Sequence, residues 1–117
     1  MLISREFSFA AAHRLPGSSG SCERLHGHTW RLRVTVQAPV GQDGIAFDFR
    51  ELKRVVEERV LKQLDHTYLN ALVAQPSAER IAQWAWKQLA NLPLYEIRVW
   101  ESNDTFVTYR GEAEKST

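Results

Sequence analysis

The chain has 117 residues, 44% hydrophobic and 25% charged, which is the size and balance of one globular domain, 1–117, with nothing spare for a second. Fifteen basic residues against fourteen acidic ones give a net charge of +1 without a basic stripe, which excludes a nucleic-acid footprint. Charges interrupt the N-terminus where a signal peptide needs an apolar run, no stretch approaches the ~18 apolar residues of a membrane span, and the single cysteine, Cys22, has no internal disulfide partner; a soluble cytoplasmic protein with no membrane partner is expected.

Residues 5–13 read as a strand, because Phe7, Phe9, Ala11 and His13 alternate with Glu6 and Ser8, placing His13 in the apolar phase. Turn-forming residues 16–21 separate it from a second strand, in which His26, His28, Trp30, Leu32, Val34 and Val36 alternate with Gly27, Thr29, Arg31, Arg33 and Thr35. After a break at 39–44 the period becomes helical. Asp48 with Glu51 three positions on resembles a capping box, and Phe49, Leu52, Val55, Val56, Val60 and Leu64 form the expected buried stripe. A second helix opens near Ser77, carries Ile81, Ala82, Ala85, Trp86 and Leu89, and stops at Asn91 and Pro93. Strand character returns with Tyr95, Ile97, Val99 and Glu101 in one phase, a turn at 102–104 and a returning strand over 105–110, before a polar tail expected to fray. The order strand, strand, helix, helix, strand, strand favours an α+β architecture: an antiparallel sheet with two helices on one face.

Antiparallel pairing of the first two strands sets the end of one beside the start of the other, which gathers His13, His26 and His28 on one face. A single histidine there would be satisfied by a hydrogen bond; three in register fit zinc, and leave one tetrahedral position open as catalytic sites do. Cys22, four residues before His26, offers two alternatives: a fourth ligand closing a structural site, or a thiol made reactive by nearby positive charge. Asp65-His66 ends the first helix, where the carboxylate can orient the imidazole for proton transfer or the dipole can simply favour a histidine. Glu101 aims an acid at the apolar side and needs a partner, either an arginine such as Arg98 or Arg110 or a ligand with adjacent N–H donors.

Taken together, Phe9-x-Ala11-Ala12-His13, Cys22-x-x-x-His26-Gly27-His28, Asp48-Phe49, Leu64-Asp65-His66-x-x-Leu69-Asn70 and Glu101 resemble the 6-pyruvoyl-tetrahydropterin synthase family, in order and over nearly the whole chain. The short length, Ala12-His13-Arg14-Leu15-Pro16 and Tyr109-Arg110-Gly111-Glu112 are most similar to the bacterial branch that makes 6-carboxytetrahydropterin for queuosine. The resemblance implies a tunnelling fold whose subunits join sheets into a barrel, as a trimer or hexamer, with the site at the subunit interface. It implies His13, His26 and His28 as ligands of Zn2+, Cys22, Asp65 and His66 as the catalytic groups, and Glu101 as the anchor of the pterin ring. The implied substrate is 7,8-dihydroneopterin triphosphate, cleaved to the carboxy product with acetaldehyde and triphosphate released. The pyruvoyl product, or a non-catalytic zinc-stabilised binding module, are the alternatives. Two departures stand out: Ser77 and Arg80 replace threonine and asparagine of a family Pro-Thr-x-Glu-Asn run, and Ser102 replaces the threonine after the anchoring glutamate.

Overall fold

Period-2 alternation over two long runs builds β1 (Leu2–His13) and β2 (His26–Gln37), paired antiparallel without a break from Leu2↔Gln37 to His13↔His26. The structure, a computed structural model, describes residues 1–17 and 20–112, with the backbone alone at Ser21 and Cys22. β4 (Leu94–Trp100) lies antiparallel on β2, and β5 (Phe106–Tyr109) antiparallel on β4. Trp30, Leu32, Val34 and Val36 of β2, with Ile97 and Val99 of β4, are fully buried under the helices.

The first helix runs as α1 (Phe49–Val56), a π-helical stretch Glu57–Leu61 and the turn α2 (Lys62–Leu64). Within the π stretch the Lys62 N–H donates to the Glu57 carbonyl, five residues back. Leu52, Val56, Val60 and Leu64 are fully buried on the sheet. The second long helix, α3 (Ala78–Gln88), is capped by Ser77, whose hydroxyl accepts from the Arg80 N–H at 3.2 Å. Threonine or serine at that position therefore serves the same end. No described helix is long and apolar enough to cross a membrane.

Several expectations need correction. The sheet is mixed rather than antiparallel: β3 (Thr67–Tyr68) pairs parallel with β1 at Ala11 and Ala12, giving the order β3-β1-β2-β4-β5. Two residues are too few for any periodicity to announce them. The first strand starts at Leu2 rather than at residue 5, and the last spans only Phe106–Tyr109. Phe49 is 58% exposed, not part of the buried stripe. The capping box is half made: the Asp48 carboxylate accepts from the Arg50 N–H at 2.7 Å, while Glu51 turns to Arg54 at 2.6 Å.

Replacing Leu52 with alanine is expected to cost about 2–5 kcal/mol, the range for a fully buried leucine. Ser77→Ala should cost about 1 kcal/mol as a lost N-cap. Urea unfolding of both variants checks the order; equal losses would mean that the core is not where the burial places it.

Candidate metal centre

Three elements converge at one end of the sheet. His13 closes β1, His26 and His28 open β2, and Glu101 follows β4. One donor atom from each of the four lies within 4.8 Å of the others. The His13 and His26 rings are 4.5 Å apart, His26 and His28 4.7 Å, and His13 and His28 5.2 Å. Cross-strand register explains the approach, since His13 is opposite His26 and Ala11 opposite His28. Trp30, fully buried, forms the floor at 5.0 Å from His13 and 5.5 Å from His28.

Backbone carbonyls fix two of the rings. Nδ1 of His13 is 2.8 Å from the Pro76 carbonyl, and Nδ1 of His26 is 2.6 Å from the Arg24 carbonyl. A carbonyl only accepts, so Nδ1 carries the proton in both rings and the neutral imidazole keeps its lone pair on Nε2. Such outer contacts are what orient metal-bound histidines. Nε2 of His13 is buried without a hydrogen-bond partner, a costly arrangement that a cation would relieve. The donor set therefore fits a metal ion of the zinc type, with three imidazole nitrogens and a nearby carboxylate.

Glu101 Oε1 lies 3.3 Å from Nε2 of His28, close enough for charge attraction but without hydrogen-bond alignment. Burial holds the His28 pKa below its ordinary 6.5; Glu101 opposes this and the other two histidines add to it. Of the two alternatives for Glu101, the arginines are elsewhere: Arg98 and Arg110 approach Glu96 instead. A groove of about 160 Å³, lined by Ala78, Glu79, Glu101, Thr105, Phe106 and Val107, adjoins the cluster. The turn carrying Glu101 is knitted by its own N–H to the Thr105 carbonyl and by the Ser102 hydroxyl on Thr105 and Asp104. Serine thus meets what the position needs.

Asp65 and His66 are not in the cluster. They sit on the far side of β1 from β2, where Asp65 Oδ1 accepts from the Ala10 N–H at 3.0 Å and the His66 N–H donates to the Ala10 carbonyl. The Ala10 N–H, helped by His66, holds the Asp65 carboxyl below the usual range. His66 Nδ1 is 3.1 Å from Asp65, its side chain is 82% exposed, and its backbone is left-handed at φ 59°. The side chain of Cys22 lies outside the described residues; its backbone belongs to the 3-10 turn Gly20–Glu23, tied to the end of β1 by Arg14 Nε–H on the Glu23 carbonyl.

Three supports had no sequence signal. The Pro76 and Arg24 carbonyls are backbone groups that every residue possesses, and Glu79 reaches the groove only through the fold. Asn70, quoted above without a role, accepts from the Arg14 N–H at 2.9 Å and donates to the Arg14 carbonyl at 2.8 Å, pinning the residue after His13.

The chain matches the family described as 6-pyruvoyl tetrahydropterin synthase over residues 2–112. It is 38% identical to the 6-carboxy-5,6,7,8-tetrahydropterin synthase of Synechocystis sp. across 92% of both chains. It is 39% identical to a dihydroneopterin monophosphate aldolase of Pyrococcus furiosus across 83% of this chain and 86% of that one. The structure of Caenorhabditis elegans 6-pyruvoyl tetrahydropterin synthase superposes with a TM-score of 0.86 at 26% identity, covering 96% of each chain.

The lowered pKa of His28 has a consequence for the metal-free chain. The folded state binds fewer protons there than the unfolded state, so this contribution to stability is present above the ordinary 6.5 and is lost as pH falls through the lower folded value. The melting temperature of chelator-treated protein should fall on acidification below that point, and His28→Asn should flatten the fall. An unchanged profile in the variant would place the effect elsewhere.

Proposed function

The chain belongs to the 6-pyruvoyl tetrahydropterin synthase family, and we propose that it is a zinc-dependent lyase. It converts 7,8-dihydroneopterin triphosphate and one water to 6-carboxytetrahydropterin with release of acetaldehyde and triphosphate. The observation that carries this reading is the convergence of three imidazoles whose orientation is fixed through Nδ1 at two of them and whose buried Nε2 at His13 lacks a partner. His13, His26 and His28 hold the zinc. When bound, zinc acts as a Lewis acid that raises the acidity of the substrate's side-chain hydroxyls.

The chain's own groups supply the rest. Glu101, bordering both the histidine cluster and the groove beside it, accepts the paired N–H donors of the pterin's amino-pyrimidinone edge in bidentate fashion. Asp65, anionic and anchored to β1, holds His66 so that its outer nitrogen exchanges protons with the substrate side chain, and the Cys22 thiol is the second proton carrier. Within one chain the Asp65-His66 pair lies beyond the outer edge of β1, so it serves a neighbouring subunit's histidine cluster in a trimer or hexamer built as a barrel. Residues 1–117 act as a single domain in the cytoplasm, and the product feeds queuosine synthesis.

The Pyrococcus relative favours a second reading, cleavage of a monophosphate substrate by an aldolase. A monophosphate has no triphosphate to expel, so the products separate the two. Incubated with dihydroneopterin triphosphate, the zinc-loaded protein should yield acetaldehyde, triphosphate and the carboxypterin by mass spectrometry. A retained diketone side chain would mean the pyruvoyl reaction. His26→Ala should lose most of its zinc by metal analysis, because two ligands hold the ion poorly. Cys22→Ala and His66→Ala should keep zinc and melting temperature while turnover falls by roughly 10²–10⁴-fold. Loss of zinc from Cys22→Ala would instead make the thiol a structural ligand.

A further inference from the structure

The face of the sheet turned away from the helices carries a cluster that the reaction above does not use. Arg31 and Arg33 of β2 and Arg98 of β4 fan over the ring of Trp100, with guanidinium carbons 4.0, 5.2 and 5.7 Å from its centre. Register makes this unavoidable: Arg31 is opposite Trp100, Arg33 is opposite Arg98, and Trp100 is opposite Phe106. Directly opposed like charges disfavour a strand pair. Two of the three are compensated. Arg33 Nε pairs with Glu6 at 2.9 Å, and Arg98 donates to Thr108 at 3.2 Å with Glu96 3.7 Å away. Glu96 is shared with Arg110 at 3.1 Å, so four guanidiniums face two carboxylates.

Arg31 is the group left over. Among the described residues it has no carboxylate within ion-pair distance, and its Nε is buried without a hydrogen-bond partner. The Trp100 ring offsets part of the repulsion but offers no in-plane acceptor for the N–H fork. Ser8, across the strand pair from Arg31 on the same face, adds a hydroxyl, and Phe106, half exposed, stacks over Arg98 at 4.4 Å.

We propose that Arg31, Arg33 and Arg98 on Trp100 form a binding site for a phosphate-class polyanion on the helix-free face of the sheet. Phosphate suits it because a planar guanidinium fork matches phosphate oxygens bidentately, and several converging forks match several charged oxygens. The alternation of β2 sends His28 and Trp30 to one face and Arg31 and Arg33 to the other, so this site is separate from the histidine cluster of the same chain. It stands whether or not the proposed lyase reaction does.

Calorimetric titration of the protein with inorganic triphosphate, inorganic phosphate and ATP tests it. Triphosphate should bind at low ionic strength with a dissociation constant below about 1 mM, and added salt should weaken it. Arg31→Gln should lose about tenfold or more in affinity, and Arg31→Lys, which keeps the charge without the fork, should lose part of that. If Arg31→Gln melts early, Arg98→Gln gives the same reading. Compared metal-free, so that triphosphate cannot draw heat by chelating zinc, His26→Ala and Glu101→Gln should bind triphosphate as the parent does. Tighter binding of ATP than of triphosphate would assign the site to a phosphate ester; the reverse would assign it to the free anion. Absence of heat up to about 1 mM, parent affinity in both arginine-to-glutamine variants, or loss of binding in His26→Ala would each overturn the proposal.

Discussion

The pairing of β1 with β2 is the constraint on which everything else in the molecule rests. It runs unbroken from Leu2↔Gln37 to His13↔His26, and it alone sets His13 against His26 and His28. A slip of one residue would turn every side chain of one strand to the other face. Phe7, Phe9 and Ala11 would then leave the core together with His13. The register that buries the apolar face is therefore the same register that assembles the three imidazoles, and the site inherits its rigidity from the core.

That identity is also why the site was legible in the sequence. Period-2 alternation alone places Phe9, Ala11, His13, His28, Trp30 and Leu32 in one phase. What escaped the sequence obeys other physics. β3 is too short for a pattern, and it exists because the chain after the first helix lies along the edge of β1 at Ala10 to Ala12. Phe49 fits the helical period but lies beyond the sheet's cover, in the first turn of α1 beside the exposed apolar side chains of Met1, Val40 and Ile45. Periodicity reports a direction, not whether anything lies there. Arg98, one of the partners the sequence offers Glu101, lies on β4 at opposite parity to Glu101 just beyond the strand's end, and it faces away toward Glu96. The carbonyls of Pro76 and Arg24, which set two imidazole tautomers, were beyond any reading of side chains.

Asp65 and His66 stand apart from the histidine cluster of the same chain. The histidine cluster is built on long strands and floored by Trp30, whereas the carboxylate–imidazole pair stands at an open strand edge with His66 mostly in water. On the proposed reading the pair transfers protons, which it would do best where bulk water does not compete with it. Among the described residues no strand pairs with the outer edge of β1 between Leu2 and Phe9, the kind of edge that another chain can cover. One covering subunit would thus answer both the exposure of the pair and the open edge.

β2 carries opposite chemistries on its two faces. Toward the helices it presents imidazoles and apolar side chains, an environment that favours the neutral form of His28. Away from them it presents arginines, whose charge is held on the surface by Trp100, Glu6 and Glu96. Because successive residues point opposite ways, neither face could shift along the strand without the other. Trp100 and Glu101 show the coupling most directly: the first supports the arginines, the second, one residue on, borders the histidines. The turn fixed by Ser102 and Thr105 therefore positions a group on each side of the sheet, and the two sites are separate in chemistry but joined in framework.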